Sequence, residues 1–447
     1  MDNRAAQNTE LGKFIPRPSR PPVVTSQGLV GWLRKSFFNG FLNTMLTVTV
    51  FTLLYLLIRP FIDWALVNAV WSASDRRQCL AINSDGACWA AVIHWFNNLI
   101  YGRYPNELQW RVNLGLSFGL LWILPLNLKK VTSKLQIGAT GVILYPILAS
   151  YIFLGGERSN IHYLLACTGL AYLLIVYIDT LLLYLGSKKS SQVIEPLLEP
   201  FLGKKADQVG FFLLLGGLVV LIAIVLQGLE LEHVPTGSWG GLFITLIISG
   251  FSIVMALPIG IFLALGRRST MPVLKWFSIA TIELVRSVPM ITVLFMSVTM
   301  MPLFFPNTMD LNKLAQVIIA VCIFSGAYMA ETVRGGLQTI SRGQFDAAKS
   351  IGLGYWHTMF LIILPQALRT MIPNIVTSFI SLFKDTTLVS IIGLFDIMLM
   401  ARNISIDKKW FGLHSEPLVA ISFLFFIFCY GMSQYSQNLE KKLNKNR

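Results

Sequence analysis

A series of long apolar runs constrains this chain more than any other feature, because a helix that spans a bilayer needs about 20 predominantly apolar residues. Such runs recur along the 447 residues and are separated by more polar segments. Ten segments are candidate spans: 41–60, 112–128, 136–155, 161–185, 210–228, 240–265, 277–305, 311–333, 367–393 and 416–437. Lys384 and Asp385 interrupt the ninth of them. The sequence therefore predicts an all-α, polytopic transmembrane protein with about ten spans.

The composition excludes an ordinary soluble chain. Hydrophobic residues make up 54% of the sequence and charged residues 13%, whereas a soluble protein carries about 25% charged residues. A formal net charge of +14 would suggest nucleic acid as the partner of a soluble protein, but here the basic residues flank the apolar runs. Basic flanks are typical of membrane spans. We therefore expect contact with membrane lipid and none with nucleic acid.

The positions of Lys and Arg predict the orientation of the chain, because these residues accumulate in cytoplasmic loops. With a cytoplasmic N-terminus and ten spans, 23 of the 36 Lys and Arg residues fall in cytoplasmic segments and 8 in external ones. The sequence therefore predicts that both termini lie in the cytoplasm.

The two halves of the chain differ in character. Residues 1–40 are polar, basic and rich in proline, which predicts a cytoplasmic tail. Residues 41–235 contain about five spans and an external loop, 61–110, that is rich in Trp and Asn. Residues 236–440 hold nearly all the unusual polar placements, and 441–447 form a second basic tail. We predict an N-terminal membrane region followed by a distinct transmembrane domain.

The five cysteines do not form a metal framework. Cys167, Cys322 and Cys429 each lie inside an apolar run, where cysteine acts as a small hydrophobic residue. Cys79 and Cys88 lie close together in the predicted external loop, so an oxidising compartment would allow a disulfide between them. Two unpaired thiols are the alternative. We expect no metal site.

The sequence contains no GxxxxGK[ST] motif, so a P-loop for nucleotide phosphates is not expected in this chain. We therefore expect a transport subunit that is not itself an enzyme and that holds no cofactor. Any ATP hydrolysis would take place on another polypeptide.

One long polar segment, 334–366, lies between two predicted spans. Its first part, Gln338–Ile351, predicts a short amphipathic helix that Gly352 and Gly354 end. The residues predicted to share its apolar face are Ile340, Phe345, Ala348 and Ile351. Another helix follows and runs to Pro365. Such an element is either an ordinary amphipathic connector or a site that receives a push from a soluble partner.

The spacing of several residues in this segment resembles the EAA loop of ABC-importer permeases. Asp346-Ala347-Ala348 is followed after three residues by Gly352, and after nine more by Ile362-x-Leu364-Pro365. The resemblance implies that the helix over 338–354 couples to a separate ATPase. The coupling residues it implies are Gln344, Asp346, Ala347, Ala348, Gly352, Leu353, Leu364 and Pro365. Asp346 stands where the family usually has Glu, so a carboxylate is kept on a shorter side chain.

Other motifs resemble the polar-amino-acid branch of these permeases. They are Gly241-Leu242-x-x-Thr245-Leu246, Leu265-Gly266-Arg267-Arg268-Ser269, Ile282-Glu283-Leu284-Val285-Arg286-Ser287-Val288-Pro289 and Phe383-Lys384-Asp385-Thr386-Thr387-Leu388. The first half resembles the long general L-amino-acid permease subunits through Gly86-Ala87-Cys88-Trp89, Tyr101-Gly102-Arg103-Tyr104-Pro105 and Trp110-Arg111-Val112. The resemblance covers nearly the whole chain.

This resemblance implies a type I-like permease fold in the bacterial inner membrane. The expected partners are a homologous second permease subunit, a cytoplasmic ATPase dimer that binds ATP and Mg²⁺, a periplasmic amino-acid-binding protein and an L-amino acid as substrate. The implied mechanism is alternating access. An ion-gradient-driven secondary transporter of polar solutes is the alternative, and a non-transporting membrane scaffold is a third reading.

Ionisable residues inside spans need partners or a purpose, because a charge at mid-bilayer costs about 2.5–3.5 kcal/mol. Glu283 and Arg286 are three residues apart, so they can pair on one helix face, and Glu331 and Arg334 have the same spacing. Each pair is either a self-neutralising pair near a cytoplasmic helix end or part of a gate or of a contact between subunits.

A zwitterionic substrate needs polar groups when water is removed from it, and broken helices near mid-membrane supply them in many transporters. Pro258 and Pro289 mark two candidate helix breaks. We predict that Lys384, Asp385 and Thr386 line or brace the substrate path, and that Glu283 and Arg286 are further candidates.

Overall fold

The computed structural model describes residues 28–128, 131, 133–156, 160–185, 190, 206–226, 231–304 and 312–444. The predicted tail over 1–40 therefore lies largely outside the described residues, as does the end of the predicted tail over 441–447. Among the described residues there is no β-strand, and isolated β-bridges join Gly102 to Trp239 and Gly241 to Asp396. The described chain is helical almost throughout, which confirms the predicted all-α fold.

We number the α-helices in chain order. They are α1 (Gly28–Phe37), α2 (Phe41–Ile62), α3 (Arg76–Ile82), α4 (Trp89–His94), α5 (Phe96–Tyr101), α6 (Gln109–Asn127), α7 (Lys134–Leu154), α8 (Asn160–Tyr184), α9 (Ala206–Leu226), α10 (Gly241–Arg267), α11 (Pro272–Ser287), α12 (Met290–Thr299), α13 (Lys313–Gln338), α14 (Arg342–Ser350), α15 (Tyr355–His357), α16 (Leu364–Asp385), α17 (Ile397–Ile406) and α18 (Ser415–Asn444). A π-helical stretch, Thr358–Ile363, joins α15 to α16.

Each of the ten predicted spans coincides with a helix or a helix pair. In the described part of the chain, eight helices are long and apolar enough to cross a membrane, and a bent pair of helices brings the number to nine. The bent pair is α11 and α12, which meet at 107°. The remaining predicted span, 112–128, forms α6, which is less apolar because it carries Arg111, Asn113 and Asn127.

The chain divides into two compact units. The described residues of the first unit are 28–71 together with Cys79–Ala87. Within it, Thr47 Oγ1 at the start of α2 donates a hydrogen bond of 2.8 Å to the carbonyl oxygen of Phe37. No residue of α2 is buried, and lipid takes the place of a protein interior around an apolar span.

The second unit comprises Ser72–Gln78 and Cys88–Arg447 and contains two large hydrophobic clusters. The first cluster includes Phe243 on α10, Leu294 on α12 and Val317 on α13. The second cluster includes Leu263, further along α10, and Met329, further along α13. Helices α10 and α13 therefore form the central pair of this unit, and each cluster surrounds one part of that pair.

Two glycines allow α10 and α13 to approach closely. A Cβ atom on Gly260 would lie 2.7 Å from Cγ of Met329, and one on Gly326 would lie 2.4 Å from Cγ2 of Ile259. Real Cβ atoms do not come this close to their neighbours, so neither position has room for a side chain. Small residues serve the same purpose at many helix contacts in membranes.

The part of the predicted external loop that belongs to the second unit packs on the segment before α18 and on the first turn of α18. Trp95 Nε1 donates a hydrogen bond of 3.1 Å to Asp407 Oδ2, and the backbone N–H of Cys88 donates one of 3.2 Å to Glu416 Oε1. Trp410 is fully buried, and its ring centroid lies 6.0 Å from that of His94. This loop therefore forms part of the structure of the C-terminal half.

Further contacts join α6 and α7 to the start of α10. The buried Arg111 donates hydrogen bonds to the carbonyl oxygens of Ile152 and Glu232, at 2.7 and 2.8 Å. The ring of Phe243 on α10 lies 4.9 Å from that of Phe153 and 6.0 Å from that of Tyr104. The boundary predicted between residues 235 and 236 is therefore crossed by a well-packed interface.

The cysteines fall into two groups. Cys79 and Cys88 are both disulfide-bonded, whereas Cys167, Cys322 and Cys429 are free. The first two of these free thiols are buried, as expected for cysteines that act as small apolar residues. The pairing of Cys79 with Cys88 stays a prediction.

Candidate functional site

The polar segment between α13 and α16 folds as a helix–turn–helix element. The predicted helix over 338–351 begins later than expected, at Arg342, because Gln338 still belongs to α13. Between them the chain turns at Thr339, whose backbone N–H and hydroxyl both donate to the carbonyl oxygen of Gly336, at 3.2 and 2.8 Å. The element therefore follows α13 directly.

Helix α14 packs on the bundle through one narrow face. Ala348 is 1% exposed, and Phe345 and Ile340 are partly buried against the second hydrophobic cluster. Ile351 was predicted to share this face, but it is 72% exposed. That prediction was wrong because Ile351, which caps the end of α14 and whose N–H still bonds to Ala347, presents its side chain to the exposed side of the helix.

Gly352 ends α14 in the way the sequence predicts. Its φ angle is +77°, a left-handed conformation that favours glycine. Its N–H donates to the carbonyl oxygen of Lys349 at 2.9 Å, and the N–H of Leu353 donates to that of Ala348 at 3.1 Å. This pair of bonds is a Schellman motif. Gly354 plays a different part, since its backbone is extended and it precedes α15.

The returning chain anchors the element to the bundle. Met359, Ile363 and Leu364 are buried in the second hydrophobic cluster, and Pro365 is in the first turn of α16. The side chain of Gln344 on α14 accepts a hydrogen bond of 3.2 Å from that of Gln366. The structure thus brings Gln344 beside the start of α16.

Two further predicted coupling residues, Asp346 and Ala347, lie on the free side of α14. Asp346 and Ala347 are exposed, and exposed apolar side chains continue this surface at Ile351, Tyr355 and Trp356, which are 72%, 51% and 60% exposed. The surface combines a carboxylate with aromatic and aliphatic groups. We call Asp346, Ala347, Ile351, Tyr355 and Trp356 the α14 surface.

A group of five charged side chains is centred on one carboxylate, that of Glu331, near the α14 element. Glu331 on α13 lies 2.9 Å from Nη1 of Arg267 on α10, 2.6 Å from Nη2 of Arg334 and 3.8 Å from Nη1 of Arg286 on α11. Arg267 Nη1 also lies 2.9 Å from Oε1 of Glu283 on α11. We call these five residues the Glu331 network; it joins α10, α11 and α13.

Of the two ion pairs predicted from sequence spacing, one is present in the network, and the residues of the other have different partners. Glu331 and Arg334 form the ion pair that their spacing predicts. Among the ion pairs of the described residues, Glu283 and Arg286 do not pair with each other, because Glu283 contacts Arg267 and Arg286 contacts Glu331. Sequence spacing missed Arg267, since its partners lie on other helices and leave no periodic pattern.

Lys384, Asp385 and Thr386 lie in a different part of the second unit. Helix α16 ends at Asp385 and a 3₁₀-helical stretch, Thr386–Ser390, follows, so the helix changes character where the two charges interrupt it. Lys384 is exposed, whereas Thr386 is buried and donates a 2.7 Å hydrogen bond to the carbonyl oxygen of Phe383.

The candidates for the substrate path therefore fall into two groups. Leu364 at the start of α16 belongs to the second cluster, as does Ile282 beside Glu283, whereas Leu382 at the other end belongs to the first. Twenty residues of α-helix separate the two ends by about 30 Å. Of the predicted breaks, Pro289 lies at the bend between α11 and α12, whereas Pro258 lies inside the continuous α10.

Comparison with known proteins gives the family. Residues 256–445 match the family described as binding-protein-dependent transport system inner membrane component. The inner membrane amino-acid ABC transporter permease protein YhdY of Escherichia coli (strain K12) is 36% identical over 434 residues, which cover 97% of this chain and 98% of that protein.

Two further relatives differ in the share of this chain that they match. The glutamate/glutamine/aspartate/asparagine transport system permease protein BztC of Rhodobacter capsulatus is 36% identical and covers 96% of both chains. The glutamate/aspartate import permease protein GltK of Escherichia coli O6:H1 is 34% identical over 207 residues, which cover 45% of this chain and 91% of that protein.

The fold and these matches define a multi-pass permease of the inner membrane. The chain belongs to the family of binding-protein-dependent transport system inner membrane components. It is a permease subunit of an ATP-driven importer, which decides against the ion-gradient-driven alternative and against a non-transporting scaffold.

Proposed function

We propose that this chain is the permease subunit through which an ATP-driven importer takes up amino acids, and that α14 couples it to a separate ATPase. The names of its two full-length relatives support amino acids as the substrate. Both relatives are named as amino-acid permeases, and the name of one specifies glutamate, glutamine, aspartate and asparagine. The main observation in support of the coupling role is that the α14 element has one packed face and one exposed face. One face is fixed in the bundle, while the α14 surface is exposed.

In this proposal the α14 surface docks into a groove of the ATPase. Asp346 forms an ion pair with a basic residue of the partner, and Ala347 allows close approach. Ala348 and Leu364 hold the element on the bundle through their buried side chains. Leu353 closes the turn after α14 through its N–H, Pro365 begins α16, and Gly352 fixes the direction in which the chain returns. The buried face transmits a push because packed side chains in a protein interior cannot yield independently.

The chain lies in the bacterial inner membrane with both termini and the α14 element in the cytoplasm. The excess of Lys and Arg in the corresponding segments supports this orientation. Residues 236–440 form the permease domain proper. A homologous second permease subunit completes the passage, an ATPase dimer binds ATP and Mg²⁺ beneath it, and an extracytoplasmic binding protein delivers the amino acid.

Transport proceeds by alternating access. ATP binding draws the two ATPase subunits together, the coupling elements shift, and the passage opens outward to accept the amino acid. Hydrolysis then returns it to the inward-open state. Lys384, Asp385 and Thr386 line or brace the route at the end of α16, and Glu283 and Arg286 stay candidates for a gate near α14.

Two substitutions test the coupling role. Gly352→Pro is incompatible with a φ of +77°, because proline fixes φ near −65° and removes the N–H that bonds to Lys349. Asp346→Lys reverses the exposed charge. We expect both variants to insert and assemble but to lose about 90% of amino-acid uptake in vesicles with the partner chains and ATP, while ATP hydrolysis continues.

Each variant has a matched control. Asp346→Glu keeps the carboxylate that the family usually carries, and Gly343→Ala changes a glycine of α14 whose Cβ would meet nothing within 4 Å. Both controls should retain at least half of wild-type uptake. Wild-type uptake in Gly352→Pro and Asp346→Lys together would contradict the proposed function.

A further inference from the structure

The α14 element touches the helices that the Glu331 network joins. The guanidinium carbon of Arg268, the residue after Arg267, lies 5.7 Å from the ring centroid of Phe345 on α14. Phe345 also packs against the second hydrophobic cluster, which contains Ile282 of α11 and Leu337 of α13. A displacement of α14 therefore acts directly on α10, α11 and α13.

Glu331 is the member that the contacts share. It accepts hydrogen bonds from Arg267 on α10 and from Arg334 on its own helix, and it forms an ion pair with Arg286 on α11. Its side chain is 16% exposed, whereas that of Glu283 is 55% exposed. A shielded carboxylate interacts more strongly with its partners than an exposed one. The ionic connection between the three helices therefore depends mainly on Glu331.

Close packing reinforces this connection. A Cβ atom on Gly266 would lie 2.1 Å from Oγ of Ser278, so the end of α10 crosses the middle of α11 without room for a side chain between them. Ser278 is fully buried at this crossing. The ends of the three helices are thus held by charge and by shape together.

Helix α11 continues into a part of the permease that lies beside the proposed passage. The chain bends by 107° at Val288 and Pro289, two residues after Arg286. Beyond the bend, Leu294 of α12 is buried in the first hydrophobic cluster. Val389, which follows the predicted path residues at the end of α16, is buried in the same cluster.

We infer that Glu331 is a positioning residue that makes α10, α11 and α13 move as one body with α14. Displacement of α14 then swings α12 about the joint at Val288 and Pro289, beside the route of the substrate. This inference rests on the proposed function, because it assumes that the ATPase displaces α14. It adds to that function the Glu331 network as the connection inside the permease and α12 as the element that moves.

The test measures molecules of amino acid taken up per ATP hydrolysed, in vesicles that contain the full chain with its second permease subunit, ATPase and binding protein. Glu331→Gln removes the charge at constant shape, and we expect this ratio to fall about tenfold. Arg286→Gln removes the ion pair between α11 and α13 but leaves Glu331 its two nearer partners, so we expect a fall of about threefold. Arg286→Lys should restore at least half of the lost ratio.

The control is Glu440→Gln, which removes an exposed carboxylate on α18, outside the network; its ratio should stay within twofold of wild type. A wild-type ratio in Arg286→Gln overturns the inference, even where Glu331→Gln fails to assemble. Equal losses of uptake and ATP hydrolysis in the assembled variants overturn it as well, since a merely structural role would affect both alike.

The outcome separates this inference from the proposed function. If Gly352→Pro uncouples hydrolysis from uptake while Glu331→Gln and Arg286→Gln keep the wild-type ratio, coupling through α14 stands and only the role of the network fails. If Gly352→Pro and Asp346→Lys both transport amino acids at the wild-type ratio, α14 does not couple the permease to the ATPase, and the inference fails with the proposed function.

Discussion

At the scale of single residues, Asp396 lies in an unusual environment for a carboxylate. It is fully buried before α17, between the predicted spans, and its Oδ1 caps that helix by accepting a hydrogen bond of 2.9 Å from the N–H of Leu399. Its Oδ2 has no hydrogen-bond partner among the described residues. Burial raises the pKa of Asp396 to about 7, although the helix N–H groups and the charge of Arg402 act in the opposite direction.

This shift predicts a pH dependence of stability. The folded protein holds the Asp396 proton more tightly than the unfolded chain, in which the pKa is about 3.9. The stabilising contribution is therefore fully present below pH 4 and is lost as the pH rises through about 7. Asp396→Asn keeps a good helix cap without the charge, so the variant should be more stable than wild type at pH 8 and should lack this pH dependence.

The measurement is the melting temperature of the purified protein in detergent between pH 5 and pH 8. The difference in free energy of unfolding at pH 8 should reach up to about 4 kcal/mol, which corresponds to a rise of the pKa from 3.8 to about 7. Parallel melting curves for wild type and Asp396→Asn across this range would show that Asp396 does not titrate there.

At the scale of elements, the contact between α10 and α13 depends on glycines that have no room for a side chain. Gly326→Ala places a Cβ atom within 2.4 Å of Ile259, so the helices must separate or the isoleucine must leave its rotamer. Overpacking of this kind costs about 1–3 kcal/mol. We expect a fall in the free energy of unfolding of that size, measured by melting in detergent.

Gly335→Ala provides the matched control, because it makes the same change on the same helix where a Cβ would meet nothing within 4 Å. In an open helical position alanine is more favourable than glycine by up to about 1 kcal/mol. The control should therefore match or exceed wild-type stability. A loss of stability that is the same in both variants would mean that the close contact at Gly326 has no special cost.

The elements also show what the sequence could predict. The apolar runs, the left-handed turn at Gly352, the interruption at Lys384 and the pair of Glu331 with Arg334 all follow from local patterns, since each involves residues within a few turns of helix. The role of Arg267 could not be predicted in this way. Its partners, Glu283 and Glu331, are 16 and 64 residues distant in sequence.

Element boundaries were harder to predict than element types. The helix expected over 338–351 begins at Arg342, because α13 continues through residues that are polar enough to suggest a loop. Tertiary packing decides this point. Val333 and Leu337 near the end of α13 are buried in the second hydrophobic cluster, which keeps the last turns helical despite Arg334 and Gln338.

At the scale of the whole molecule, the residues of the second unit that precede 236 pack against and stabilise the chain that follows. The contacts of Tyr104 and Phe153 with Phe243, and of Trp95 with Asp407, all join residues before 236 to residues after it. Burial of one large side chain is worth about 1.5–3 kcal/mol. A chain that begins at residue 236 should therefore lose about 5 kcal/mol in free energy of unfolding.

The experiment compares the melting temperature and yield of residues 236–447 alone with those of the same chain co-expressed with residues 1–235. Co-expression should restore stability close to that of the intact protein, because the contacts are not covalent. An isolated C-terminal chain that melts at the temperature of the intact protein would contradict the supporting role.

The bend between α11 and α12 has a consequence for hydration. Where a helix breaks, backbone N–H and carbonyl groups lose their partners within the helix, and lipid cannot replace them. At this bend the hydroxyl of Ser287 bonds to the carbonyl oxygen of Leu284 at 2.8 Å, and the carbonyl oxygen of Pro289 accepts from the N–H of Thr292 at 3.0 Å. The N–H of Val288 also needs a hydrogen-bond partner at this bend, so we expect water to reach it. A hydrated bend changes its angle more easily than one surrounded only by hydrocarbon.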